Sequence, residues 1–238
     1  EYCHQRDLMS YLAQSTARSD VGKMTQIFDD ILAGLEYIHD NHEYRQTRGS
    51  IVHGDVKPEN IMIDLDGRAK LGDFGLAQYQ STNMDVQGTP SYIAPEVVLD
   101  FLAGSPHPKF TTKADVFSFG VLMVVALTGH YPFKRLTAKL HSGQMTVAQV
   151  IKHFTPSRRT LKAINDISPR FKRMVDSCLC RYPEMRPSAS QLRALLYRRS
   201  KSTGEDGAIL VPRKASTATL AAPADSATPT QASSTSIE

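Results

Sequence analysis

Between His53 and Asn60 the chain reads His53-Gly54-Asp55-Val56-Lys57-Pro58-Glu59-Asn60, and twelve residues further on comes Asp73-Phe74-Gly75. Asp55 offers a proton acceptor, Lys57 a cation and Asn60 a neutral oxygen ligand, all within one short loop. Asp73 adds the hard anionic oxygen that Mg²⁺ prefers. Gly75 permits the unusual backbone of a metal-binding loop. These groups suit phosphoryl transfer. That reaction asks the protein to orient a hydroxyl, hold a metal on the phosphates and neutralise charge spreading over the transferred group. Alone, each residue would read as an ordinary surface polar group; order and spacing carry the inference.

Several elements must position them. Met24, Ile27, Phe28, Ile31, Leu35 and Ile38 recur at helical spacing with Asp29, Asp30 and Glu36 off the stripe, so Met24–His39 is predicted as an amphipathic helix. The polar stretch Asn41–Ser50 is a loop. Ile61–Ile63 and Ala69–Leu71, joined by Asp64-Leu65-Asp66-Gly67, predict a small hairpin flanked by the chemistry on both sides. Lys113–Thr128 reads as a buried helix stopped by Gly129. Phe171, Met174, Val175, Cys178 and Leu179 mark another helix, and a short one carrying Leu192, Leu195 and Leu196 has Ser188 as its cap.

In that order and spacing, the motifs resemble the catalytic loop and metal-binding motif of eukaryotic protein kinases. Further landmarks follow in register. Gly88-Thr89-Pro90-Ser91-Tyr92-Ile93-Ala94-Pro95-Glu96 resembles the end of the activation segment. Asp115-Val116-Phe117-Ser118-Phe119-Gly120 resembles the central helix of the large lobe, and Arg181-Tyr182-Pro183 with Arg186-Pro187 a late family motif. The resemblance covers about residues 1–197. It implies an α+β, protein-kinase-like fold: a mainly helical large lobe with a small β-hairpin at the active site, the small lobe absent. It also implies phosphorylation of serine or threonine hydroxyls on protein substrates, with ATP and Mg²⁺ as cofactors.

Residue by residue, the resemblance makes Asp55 the catalytic base and Lys57 the group that steadies the γ-phosphate. Asn60 and Asp73 become the Mg²⁺ ligands. Lys57 and Thr89 belong to the serine/threonine branch. Glu1-Tyr2-Cys3 resembles the hinge, with the Glu1 carbonyl and Cys3 amide on adenine, Asp7 near the ribose, and Leu8 and Met62 beneath the base. His53 and Phe74 become packing residues of the internal spine, Asp115 a brace under the catalytic loop, and Arg186 the partner of Glu96.

The pattern also departs from the family. Gly54 stands where an arginine commonly pairs with an activation-segment phosphate, and the usual phosphorylation position falls on Asp85. Activity independent of that phosphorylation is expected. Phe117 stands where tryptophan is common. With no Gly-rich loop and no strand lysine, the chain reads as truncated at the hinge and inactive alone. The competing reading, a pseudokinase or binding scaffold, has the intact Asp55 and Asp73 against it.

Composition sets the remaining bounds. At 41% hydrophobic and 22% charged, the chain can bury a sizeable core. A net charge of +4 without a nucleic-acid motif reads as a solvated basic face. Cys3, Cys178 and Cys180 lack zinc-ligand spacing and read as free thiols in a reducing compartment. The longest apolar run, Val116–Leu127, is too short for a membrane span, which needs about 20 residues. With a polar opening, these features predict an intracellular, cytoplasmic protein. Residues 1–198 form the expected catalytic unit. The Ser/Thr/Ala/Pro-rich residues 199–238 read as a disordered tail, because they cannot bury enough apolar area to offset ordering entropy.

Overall fold

Phe28, Phe119 and Phe171 meet edge to face, with ring centroids 6.0 Å (Phe28–Phe119) and 5.3 Å (Phe28–Phe171) apart, and three helices cross there. The structure is a computed structural model that describes residues 7–40, 49–79, 91–103, 105, 110–133, 142–143 and 155–197. All belong to the unit Glu1–Lys201. The expectations resting on Glu1, Cys3, Asp85, Thr89 and the 199–238 tail lie outside the described residues, as does most of the Asn41–Ser50 loop.

The described elements, in chain order, are α1 (Leu8–Gln14), α2 (Val21–Asp40), β1 (Ile51–Val52), β2 (Ile61–Ile63), β3 (Ala69–Leu71), β4 (Gln78–Tyr79), α3 (Pro95–Leu102), α4 (Thr112–Thr128), α5 (Arg158–Ile167), α6 (Pro169–Cys178) and α7 (Ala189–Tyr197). Short 3-10 turns lie between them, at Pro58–Asn60 and Phe74–Leu76 among others. The architecture is α+β, mainly helical with small antiparallel β-pairs.

α4 is the axis. Every residue from Ala114 to Leu127 is buried, so this helix is apolar all round rather than amphipathic. It stops at Gly129, whose φ of 72° closes a left-handed cap with its N–H on the Val125 carbonyl at 2.8 Å. Gly120 allows α6 to approach: a Cβ there would meet Cys178 Cβ at 2.6 Å. Side chains on α2 face this axis as its periodicity predicts, with Met24, Ile27, Phe28, Ile31, Leu35 and Ile38 all buried. Burying one such side chain contributes roughly 1.5–3 kcal/mol, so this stripe dominates the docking of α2.

Off the stripe, α2 is less solvated than its sequence suggests. Asp30 accepts from Arg68 Nε at 2.9 Å and from the Ala69 amide at 3.0 Å, fastening β3 to the helix. Asp29 and Glu36 accept from Arg193 at 2.8 and 2.6 Å, and so hold α7.

The predicted hairpin is present, with Ile61 opposite Leu71, Met62 opposite Lys70 and Ile63 opposite Ala69. A second pair, β1 with β4, joins Ile51 to Tyr79 and Val52 to Gln78. α7 opens with a reciprocal cap: Ser188 Oγ accepts from the Gln191 amide at 3.2 Å, and Gln191 Oε1 accepts from the Ser188 amide at 2.8 Å. Cys178 and Cys180 are free thiols, and burial pushes the Cys178 thiol up to about 12. Among the described residues, no helix is long and apolar enough to cross a membrane.

Candidate active site

The 3-10 turn Pro58–Asn60 folds Lys57 and Asn60 back onto Asp55. Lys57 Nζ lies 2.6 Å from Asp55 Oδ2. The Asn60 amide nitrogen donates to the same oxygen at 3.0 Å and to the Asp55 carbonyl at 2.8 Å. Both Nδ2 protons are therefore spent on acceptors, which orients the amide and leaves its Oδ1 as the group that can meet a cation. Asp55 and Asn60 are each 7% exposed, so these bonds form where water competes weakly.

Beneath them, Asp115 is 1% exposed and receives the loop backbone. Its Oδ2 accepts from the His53 amide at 2.8 Å, and its Oδ1 accepts from the Gly54 amide at 3.0 Å. His39 Nε2, at the end of α2, adds a bond of 2.8 Å to Oδ2. Spacing gives no hint of this role for His39. The available signal is that His39 follows Ile38 and lies four residues after Leu35, on the buried stripe. Gly54 adopts a φ of 80°, which a side chain would strain, so glycine suits the turn that aims both amides at Asp115.

His53 joins this loop to the second motif. Its Nδ1 accepts from the Asp55 amide at 3.3 Å, so its Nε2 carries the hydrogen and donates to the Gly72 carbonyl at 3.0 Å. The Gly72 amide in turn donates to the Asn60 carbonyl at 2.9 Å. Gly72 is thus gripped on both sides, and Asp73 follows immediately.

Beyond Gly72 the fastening loosens. Asp73 is exposed and sits in the left-handed region with a φ of 58°. Its Oδ1 accepts one long bond, 3.3 Å, from the Gly75 amide. Phe74 meets the His53 ring at 5.0 Å yet remains 48% exposed, so it is only partly the packing residue expected. It borders an open apolar groove of about 700 Å³ with Tyr37, Ile38, Ile51 and Leu71.

The residues assigned to the nucleotide divide. Asp7 caps α1: its Oδ1 accepts from the Met9 and Ser10 amides at 2.9 and 3.0 Å, and its Oδ2 from Ser10 Oγ at 2.6 Å. Partial burial pushes its carboxyl up, but the Ser10 and Met9 bonds outweigh that and hold it below the usual range. Met62 bridges to Asp7 and is partly exposed. Leu8 is fully buried, which corrects its expected place against adenine: it supports the floor from within the core.

Arg186 closes the far side. Its guanidinium grips Glu96 in a fork, with Nη1 to Oε1 at 2.6 Å and Nη2 to Oε2 at 2.8 Å. Nε donates to the Cys180 carbonyl, Nη1 also to Lys113 and Nη2 also to Arg181, so every guanidinium nitrogen is satisfied. Phe117 lies under the guanidinium, 5.0 Å from it, so the phenyl ring fills the place where tryptophan was noted as common.

Among the described residues, no group of three or more His, Cys, Asp or Glu is arranged around a metal position. The donor set at hand is one carboxylate, Asp73, and one amide oxygen, Asn60 Oδ1. That fits Mg²⁺, which keeps waters and substrate phosphates and takes only one or two protein ligands.

A family model for the protein kinase domain matches residues 1–197. The chain is 32% identical over 181 residues to the leucine-rich repeat receptor-like serine/threonine/tyrosine-protein kinase SOBIR1 of Arabidopsis thaliana, a match covering 70% of this chain and 26% of that protein. It is 32% identical over 196 residues to CBL-interacting protein kinase 4 of Oryza sativa subsp. japonica, covering 77% and 40%. To the serine/threonine protein kinase OSK3 of Oryza sativa subsp. indica it is 34% identical over 136 residues, covering 56% and 24%. The matched regions thus span from about a quarter to two fifths of these relatives' lengths.

Proposed function

The chain belongs to the protein kinase family, and from that premise we propose that its parent protein transfers the γ-phosphoryl group of Mg·ATP to serine or threonine hydroxyls of protein substrates. The observation that carries this reading is the convergence of Lys57 and Asn60 on the Asp55 carboxylate, with Asp73 held one residue beyond Gly72.

In this reading Asp55 receives the proton of the acceptor hydroxyl. Its orientation is set before substrate arrives, because Asn60 and Lys57 hold Oδ2 and Asp115 holds the backbone below. Such preorganisation spares the reaction the reorganisation that water would require. Lys57, only 2.6 Å from that carboxylate, brings a cation to where phosphoryl charge would build. Asp73 and Asn60 Oδ1 would hold Mg²⁺, whose bound charge would neutralise the phosphate oxygens. Serine/threonine preference rests on Lys57 and on the relatives, whose names specify serine/threonine or serine/threonine/tyrosine kinases. We assign this chemistry to residues 1–198 and read 199–238 as a tail without a core of its own.

The test uses the full-length protein with Mg·ATP and a synthetic serine peptide. Asp55→Asn should lower kcat by about 10²–10⁴-fold. Asp73→Asn should abolish Mg·ATP binding by isothermal titration. Peptide phosphorylation that persists undiminished in Asp73→Asn would overturn the reading.

A further inference from the structure

The catalytic loop has a second wall. Tyr92, Ile93 and Ala94 line a small cavity of about 10 Å³ together with Gly54, Asp55, Asp115 and Ser118. The segment 91–94 therefore stands directly against the catalytic carboxylate. His53 ties the other side of Asp55 to Gly72 and the Asp73 turn. In-line transfer brings the acceptor oxygen to phosphorus opposite the leaving oxygen. With the metal-binding turn on the His53 side, the segment 91–94 borders the approach left to the acceptor.

This segment is not held by a strand or a helix. The Tyr92 carbonyl accepts from Ser118 Oγ at 2.8 Å, and the Ser91 carbonyl accepts from the Tyr131 hydroxyl. Ser118 is buried on α4 three residues after Asp115, which places both on one helix face. Tyr131 follows the end of α4 and is fixed by its neighbours: its ring lies 6.0 Å from Tyr92 and 5.8 Å, edge on, from the buried Phe133. Asp115 thus sets the height of the catalytic loop while Ser118 and Tyr131 set the wall beside it, all measured from one rigid helix. Burial pushes the Tyr92 hydroxyl up, and the charge of Glu59 pushes the same way, so this ring stays an uncharged part of that wall.

We propose that Tyr131 and Ser118 are positioning residues for the protein substrate, fixing the backbone of Ser91–Ala94 so that the acceptor hydroxyl meets Asp55. The inference rests on the kinase reading above and adds to it the residues that govern peptide engagement.

Tyr131→Phe removes one hydroxyl and leaves the ring packing. In the full-length protein it should raise KM for a synthetic serine peptide about fivefold, the factor expected for loss of one hydrogen bond. KM for ATP should not move, and Tm should fall by only about 2–4 °C. Ser118→Ala should produce the same split, and the double variant a larger one. Lys162→Ala, on the exposed face of α5, should leave both constants unchanged. A purely structural role would lower Tm without separating the two KM values. If the wild type phosphorylates the peptide and Tyr131→Phe shifts both KM values together, or neither, the positioning role is wrong and the kinase reading survives. If the wild type phosphorylates neither the peptide nor itself, both fall.

Discussion

The two halves of the active site are built to different standards. The loop around Asp55 is buried and bonded from every side: Lys57 and Asn60 on the carboxylate, and Asp115 on the His53 and Gly54 amides. The turn at Asp73-Phe74-Gly75 is exposed, left-handed at its aspartate, and held past Gly72 by a 3.3 Å bond and one ring contact. The boundary between them is sharp and lies at Gly72. A general base must be placed before the substrate arrives, whereas a metal ligand can complete its ordering when the ion and phosphates bind. The difference also predicts opposite responses to substitution: stability should be lost in the first region, and function without stability in the second.

The largest expected effect is at Asp115. Asp115→Ala strips acceptors from the His53 amide, the Gly54 amide and His39 Nε2 at once, inside the core. Removing one partner of such a buried polar cluster costs about 3–5 kcal/mol. Against a total of about 5–15 kcal/mol, that is enough to leave a marginal protein partly unfolded. Denaturant titration would measure it. A midpoint unchanged from wild type would mean that the loop is held by something other than α4, and the contrast with the Asp73 turn would collapse.

Next in size is Asp73→Gly, which should separate function from stability. A left-handed residue with a side chain costs about 1–2 kcal/mol, and less for aspartate, so glycine relieves some strain. Glycine also gives the unfolded chain more freedom, which costs about 0.4–1 kcal/mol. These terms nearly cancel. The denaturation midpoint should therefore stay within the shift that about 1 kcal/mol produces, while Mg·ATP binding in the full-length protein is lost. A fall as large as that of Asp115→Ala would show that the turn is part of the fold after all.

The same boundary separates what was legible in the sequence from what was not. The hairpin could be read because its turn is local: Asp64 Oδ1 accepts from the Asp66 and Arg68 amides at 3.0 and 2.8 Å. The α7 cap and the Lys57 and Asn60 contacts to Asp55 are likewise made over a few residues. What escaped depends on distant partners. β1 and β4 are two residues each and exist only because the chain returns across the site. α1 is short, and its start is fixed by Asp7, whose carboxylate spacing could not distinguish from a ribose ligand. His39 reaches Asp115 across 76 positions, which periodicity along α2 cannot report. Leu8 looked like a nucleotide contact because sequence gives position along the chain but not depth beneath the surface.

The smallest predicted effect lies outside the site, in the polar contacts by which α7 clasps α2. Partial burial raises the Asp29 carboxyl, but hydrogen bonds from Arg193 and Tyr197 outweigh it and hold it below the ordinary value. A depressed carboxyl contributes stability that is present above the unfolded-state value, near pH 4, and is lost as pH falls through the folded value. Arg193→Gln removes the main cause. Because Arg193 is 36% exposed, screening limits the loss near pH 7 to at most about 1 kcal/mol. The difference from wild type should shrink as Asp29 and Glu36 are protonated in strong acid. Denaturation midpoints at pH 7 and below pH 3 would measure this, and a difference that persisted undiminished in acid would assign the clasp to the arginine's packing on α2 instead of its charge. Either way the change should leave Mg·ATP binding untouched, since the clasp is on α2 and α7 and the loosely held turn begins only after Gly72.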